Sequence, residues 1–375
     1  MQQHLNPFLF AAIIACSATF ARGADYSVTL ISIGPEQTPV GVAGINNSGQ
    51  IAGGFQDQVT FIMHSFIYFD NCFANIIPFA DQASVSVTGI SNSGAATGYF
   101  TTPNDDVPHA FLYSQENGMI DLGSLSLGMG VNAAGQVTGG SLSADYSTSH
   151  AFLYSDGIMK DLGTLGGTWS VGRAINASGQ VVGESSFTNE FITHAFLYAS
   201  DVITDLGTFG GPWSCANAIN DAGQITGYAD LTNGPSHAFL YDNGAMIDLG
   251  ELGGGYSVGL AINNLGQVVG WSNLTPLEEY DLAPDIYDMR AFLYTDGQMI
   301  DLNSLIDPAS GWILQTAFGI NDAGQIVGNG LFDGQYHAFL LTPTANGFDL
   351  SSVPEPATLP VLALATIALV RRRRA

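Results

Sequence analysis

One motif returns along the chain and limits what it can become: Asn, two residues, Gly and Gln, preceded by a small or apolar pair. Asn46, Asn132, Asn176, Asn220, Asn263 and Asn321 each open a copy, and Ser91 opens a degenerate one that ends at Ala95. Successive copies stand 45, 41, 44, 44, 43 and 58 residues apart. A chain of 375 residues has room for two ordinary domains, but a repeat turns length into a unit count. The spacing reads as seven units of ~44 residues, the sixth carrying an insertion.

Each unit holds four strand-like pieces. In the fourth they are residues 170–176, 180–185, 194–198 and 203–207. Asn-x-x-Gly suits a type I turn closed by Gly in the left-handed conformation. Asp156-Gly157, Asn243-Gly244 and Asp296-Gly297 signal a second tight hairpin in the same unit. Each unit is therefore an antiparallel meander. Runs such as AFLY and QVVG are apolar without strict alternation, so both faces of the small sheet need cover. Sheets repeated radially cover one another, which predicts an all-β fold: a seven-bladed β-propeller of four-stranded antiparallel blades. Gly172, Ala174, Ala216, Ala218, Gly259 and Ala261 in the first strands fit crowding at a central axis. A β-solenoid, the competing architecture, uses shorter repeats of one turn each. The piece YSVTLISIG at 26–34 aligns with a fourth strand, and the last unit lacks a clear one, so the ring is expected to be closed by the N-terminal strand. Residues 346–350 (NGFDL) weakly resemble the same strand and compete for that place.

The two ends read as addresses. Residues 7–21 form an apolar run ending in small residues, so 1–24 is assigned as a signal peptide, although its n-region lacks Lys and Arg. Ile13-Ile14-Ala15-Cys16 offers a lipoprotein alternative, disfavoured because the residues after Cys16 stay apolar. Past a linker at 344–352, the tail 353–375 carries Pro354-Glu355-Pro356, an apolar run from 357 to 370, and Arg371, Arg372, Arg373 and Arg374. That run is short of the ~20 residues of a comfortable bilayer span, and the basic cluster would stay cytoplasmic. The segment thus reads as a transient stop, with a plain C-terminal anchor as the alternative. This tripartite tail closely resembles the PEP-CTERM sorting signal. The resemblance implies processing by exosortase, a membrane protease of Gram-negative bacteria that make extracellular polysaccharide.

Without both ends, Lys160, Arg173 and Arg290 face 32 carboxylates, a net charge of −29. That sign excludes nucleic acid and anionic membrane surfaces as partners. It suits solubility outside the cell and diffuse collection of divalent cations. Cys72 and Cys215 fall in different units at different points, so no disulfide is expected between them.

HAFLY at His109, His150, His194 and His237, with DLGTLGG at Asp161 and the recurring AIN-x-x-GQ-x-x-G block, resembles the HAF repeat of predicted bacterial extracellular proteins. The resemblance spans roughly residues 40–342 and implies secretion and a repeat fold, with no activity attached. Arg290 in place of His, Leu341 in place of Tyr, and a first unit (HSFIY, 64–68) without DLG depart from it.

A recurring His beside a recurring Asp invites a metal or catalytic reading, and spacing argues against it. With Asp156-Gly157 as a two-residue turn, Tyr154 faces Met159, Phe152 faces Asp161 and His150 faces Gly163. His150 and Asp161 then become diagonal neighbours on one face. The expected structural pairs are His109–Asp121, His150–Asp161, His194–Asp205, His237–Asp248 and Arg290–Asp301. Arg is no metal ligand but keeps a cation beside the carboxylate. Gly179 and Gly183 lack the following helix a phosphate loop needs. No CxxC, HExxH or Ser/His/Asp arrangement stands out, so no catalytic residue is assigned and no cofactor is expected.

Loops between second and third strands are where a binding site is expected, because they vary while the scaffold repeats. The insertion supplies Trp271, Glu278, Glu279, Tyr280, Asp281, Asp285, Tyr287 and Asp288, a set suited to sugar stacking or to Ca²⁺ through oxygen ligands. A solvated acidic lid is the bland alternative. Trp169 and Trp213 precede first strands and either rim one face or pack into it. The sequence thus reads as a secreted, envelope-sorted, non-enzymatic structural or interaction module with extracellular polysaccharide as its expected partner. The competing reading is a polysaccharide lyase or hydrolase on the same scaffold.

Overall fold

The computed structural model describes residues 25–31, 41–57, 59–70, 72–76, 83–102, 105–232, 234–276 and 288–344. These residues form seven four-stranded antiparallel sheets arranged as the blades of a propeller, at residues 41–76, 84–124, 126–161, 170–207, 210–248, 257–301 and 312–343, the last completed by 26–31. In blade 4 the strands Ser170–Ile175, Val181–Ser186, Thr193–Ala199 and Val202–Gly207 pair in sequence order. A parallel bridge between Thr193 and Trp213 joins blades 4 and 5 at one edge.

Local chemistry makes each turn. In the inner hairpins Gly179 sits at φ 77°, where a side chain would be strained, and its N–H reaches Asn176 O at 3.0 Å. The outer hairpin of blade 3 puts both Asp156 and Gly157 at positive φ, the I′ geometry that suits twisted strands. Close approach explains another glycine: a Cβ on Gly183 would lie 1.9 Å from Val171 O, so the second strand can pair across the bulge between Gly172 and Ala174 only without a side chain there.

One phenylalanine per blade forms its centre. Phe66, Phe111, Phe152, Phe196, Phe239, Phe292 and Phe339 are all essentially inaccessible, each the F of the repeated AF or SF pair. Toward the axis the first strands crowd. A Cβ on Gly130 would meet Ala174 Cα at 3.0 Å, and one on Gly319 would meet Ile45 N at 3.0 Å, across the closure between blades 7 and 1.

The N-terminal strand Tyr26–Ile31 runs antiparallel to Gln335–Pro343, Tyr26 opposite Pro343 and Ile31 opposite Ala338, and closes blade 7. Tyr26 is buried there, which together with the nearby Asp25 pushes its phenol up to about 12. The competing piece at 346–350 lies outside the described residues, as do 1–24 and the tail from 345. Because Thr344 N donates to Asp25 O at 2.9 Å, the described chain enters and leaves at one point. That point is on the face that carries the inner hairpins, where Pro343 packs near Gly324. The loops between second and third strands and the blade-to-blade connections occupy the opposite face.

Two details differ from the sequence reading. In blade 3 the pairing stops at Phe152 opposite Asp161 and does not reach His150 opposite Gly163, and where it continues in blades 4 and 2 a bulge sets Gly207 opposite Ala195 and Gly123 opposite Ala110. The carboxylate of Asp205 takes the Gly207 N–H at 2.7 Å and so turns the strand end inward. The sixth connection also contains a 3-10 turn, Leu302–Leu305, which Asp301 caps by accepting from Asn303 N.

Deleting residues 25–31 exposes the edge of 335–343 and uncovers Leu341 and Phe339. The expected result is a loss of several kcal/mol, read as a clear drop in the urea midpoint; an unchanged midpoint would show that another segment closes the ring.

Candidate functional site

The repeated His and Asp are brought together. His109 Nδ1 lies 3.0 Å from Asp121 Oδ2, His150 Nδ1 2.8 Å from Asp161 Oδ2, and His194 and His237 Nδ1 2.9 Å from Asp205 Oδ1 and Asp248 Oδ1. The same carboxylates accept the N–H of Gly123, Gly163, Gly207 and Gly250 at 2.7–2.8 Å. A serine completes the joint. Ser126, Ser170, Ser214 and Ser257 donate to those glycine carbonyls at 2.5–2.6 Å. Their oxygens accept the N–H of Ala110, Ala151, Ala195 and Ala238 in the preceding blade. Each HAF…DLG…S set is thus a clasp from the third strand of one blade to the first strand of the next. These serines recur at the unit spacing, a signal the sequence carries.

Blade 6 uses its residues differently. Phe292 still faces Asp301, but Asp301 Oδ1 accepts from the backbone and side-chain nitrogens of Asn303, while Arg290 Nη1 donates to Met289 O. The expected Arg290–Asp301 pair gives way to a helix cap because the 3-10 turn supplies a nearer donor.

At the axis, the asparagines that read as turn residues also bind neighbours. Nδ2 of Asn46, Asn132, Asn176, Asn220, Asn263 and Asn321 donates at 2.9–3.2 Å to the carbonyl of the equivalent residue in the next blade. Their Oδ1 atoms accept from their own turns, as Asn220 does from Ala222 N and Gln224 N. An outer tier follows: Ala177 N to Asp221 Oδ1, Asp221 N to Asn264 Oδ1, Asn264 N to Asp322 Oδ1, Asp322 N to Asn47 Oδ1 and Asn47 N to Asn92 Oδ1. The two tiers line a cavity of about 210 Å³ at the mouth of the channel. Asp221 and Asp322 face it already engaged in hydrogen bonds. Among the described residues no group of three or more His, Cys, Asp or Glu is placed to hold a metal ion.

Blades 4 and 5 break the repeat near the channel. Arg173 stands where other units have Met129, Thr88 or Leu260, and its Nε donates to the buried Glu184 at 2.9 Å. Burial opposes the guanidinium's charge, yet the Glu184 carboxylate bonded to it holds it above the usual range. Cys215 is wholly buried, and desolvation, then Glu184, push its thiol well above 9.0. Burial with Cys215 and Glu184 beside it raises Tyr228 too. The joint is a buried ion pair against a neutral thiol. Cys72, in blade 1, is exposed, and both cysteines are free.

On the loop face an aromatic position recurs directly before the clasp serine: Trp169, Trp213 and Tyr256. Trp169 and Tyr256 are half-buried, while Trp213 is 54% exposed and donates its Nε1–H to Phe191 O at 2.9 Å. Of the insertion, Trp271 is half-buried and paired between Val258 and Ala291, and Asp288 accepts from Thr275 Oγ1. Glu278, Glu279, Tyr280, Asp281, Asp285 and Tyr287 lie outside the described residues, as do Pro354, Glu355, Pro356 and Arg371 to Arg374. No helix among the described residues is long and apolar enough to cross a membrane.

No family model and no curated protein matches the chain. Among solved structures it is similar to the β-propeller domain of the Trilobed protease from Pyrococcus furiosus, which has an open velcro topology, with a TM-score of 0.53 at 10% identity over 82% of this chain and 93% of that one. A puromycin-hydrolyzing peptidase of Mycobacterium tuberculosis gives 0.48 at 12% identity over 89% of this chain and 57% of that one. Acylaminoacyl peptidase of Pyrococcus horikoshii gives 0.47 at 10% identity over 77% and 50%. The first likeness establishes the propeller fold. In this ring the strand 26–31 pairs with 335–343.

His194→Ala removes one half-exposed pair and should cost under about 1 kcal/mol, whereas Phe196→Ala should cost about 3–5 kcal/mol; equal effects in denaturant titrations would contradict the division of roles. In a thiol assay of the 25–352 protein at pH 8, Cys72 should react at once and Cys215 only on unfolding. As the unfolded Cys215 thiol ionises past 9.0 and the folded one does not, stability should fall above that pH, and less so in Cys215→Ala.

Proposed function

We propose that the chain is a secreted, envelope-sorted propeller that binds extracellular polysaccharide and performs no catalysis. The observation that carries this reading is the placement of the chain ends. Residues 25 and 344 meet on the inner-hairpin face, so the described chain begins and ends on one side. The loop face is left pointing away from any membrane to which either end is held, as a presenting scaffold requires. Its His–Asp pairs serve their own joints, one per blade from blade 2 to blade 5, and the pair that lines a cavity, His150–Asp161 at one of about 330 Å³, is held by its own hairpin. Exosortase acts on the tail in this reading, and the insertion is where Ca²⁺ would be held.

The test is a polysaccharide pull-down and glycan array with purified 25–352 protein, with and without Ca²⁺. Retention on polysaccharide with no release of reducing ends or unsaturated products is the expected result. Product release would establish the enzyme reading in its place, and absence of binding would remove the polysaccharide.

A further inference from the structure

The junction of blades 4 and 5 on the loop face holds an aromatic surface whose construction goes beyond packing. Trp213 and Phe191 come from different blades, and both are solvent-facing, at 54% and 81% exposure. A tryptophan used for packing looks different: Trp312, at the corresponding end of blade 7, is buried and lies 5.1 Å from the Phe332 ring. Trp213 instead has its one polar atom satisfied by Phe191 O while its ring stays in water, a costly arrangement for a side chain that gains most from burial.

The surface is also held in place. Thr193 bridges Trp213 through the backbone. The 187–192 loop is tied to the incoming connection by Thr168 N to Glu190 Oε1 at 3.0 Å, and it closes on itself through Phe187 N to Ile192 O at 3.1 Å. Phe187 in turn meets the His194 ring at 4.9 Å. A site ordered before binding does not have to order itself on binding. Exposed Thr168, Thr188 and Asn189 supply hydroxyl and amide groups beside the rings.

We infer that Trp213 and Phe191 form a stacking platform for the sugar rings of an uncharged polysaccharide, with Trp169 and Tyr256 continuing the arc on the neighbouring blades. Flat apolar rings flanked by hydroxyl and amide groups match the alternation of C–H faces and hydroxyls on a pyranose. Charge selects among glycans. The chain between its two addresses carries −29, and its cations are few, with Lys160 engaged by Asp201 and Arg173 by Glu184. A polyanionic glycan is repelled; a neutral one is not. The inference rests on the polysaccharide reading above and adds to it the place and the ligand class.

The experiment is affinity electrophoresis of the 25–352 protein, which contains the whole closed ring, through gels holding a neutral glucan, a galactomannan or alginate. Trp213→Ala and Phe191→Ala are run beside wild type, with Tyr146→Ala, an exposed aromatic on the loop face of blade 3, as control and melting curves for all. Expected are retardation of wild type by at least one neutral polymer and not by alginate, at least tenfold weaker retention of Trp213→Ala with an unchanged melting midpoint, partial loss in Phe191→Ala and none in Tyr146→Ala. If the Trp213 variant melts early, Trp213→Phe, which keeps a ring and should keep most of the retention, replaces it. Wild-type binding to a neutral glycan that survives both Trp213→Ala and Phe191→Ala overturns this site and leaves the polysaccharide reading standing. Retardation by alginate alone overturns the ligand class. Retardation by nothing overturns the polysaccharide reading itself, and the site with it.

Discussion

A four-stranded sheet of about this size, apolar on both faces, cannot keep water from its own centre, and every other feature answers that constraint. The phenylalanine of each blade, from Phe66 to Phe339, is excluded from solvent only because adjoining sheets cover what its own sheet leaves open. Burial at this scale is worth roughly 1.5–3 kcal/mol per such side chain. It is collective, since the last blade must also meet the first. The N-terminal strand on Gln335–Pro343 ties the two ends of the chain into one blade and makes closure a property of the whole.

Two sets of polar joints then fix the register of the blades against one another. At the axis the asparagine amides pass from blade to blade, interrupted at Ser91, whose unit is the degenerate one. Farther out the His–Asp–Gly–Ser clasps link third strands to the next first strands. Residue types that elsewhere do chemistry are here partnered by their own scaffold. Interest therefore shifts to positions where a unit departs from its siblings: Arg173 and Glu184 in the channel wall, the insertion after Trp271, and Trp213 with Phe191 on the loop face.

Much of this was legible beforehand, for a physical reason. A repeat writes the same local problem seven times, so the period of Asn-x-x-Gly-Gln revealed the unit, and Asp156-Gly157 set the pairing of Phe152 with Asp161. The alignment of residues 26–34 with a fourth strand pointed to the closing piece. The failures have causes as well. Arg290 and Asp301 keep their separation, but a 3-10 turn that no periodicity announces gives Asp301 another partner. Asn176 looked complete as a turn residue because its outward bond, to Asn220 O, reaches the adjacent unit and leaves no mark on local spacing.

Strand order and blade number follow from the order of residues along the chain, since turn geometry and apolar pattern act within ten or so neighbours. What lies between units was decided only in three dimensions: that Trp213 faces solvent while Trp312 is buried, that Arg173 finds Glu184 beside a buried thiol, and that both described ends meet on one face. Those outcomes depend on how curved sheets come to rest against one another around a shared axis, a sum over contacts that no single stretch of sequence contains.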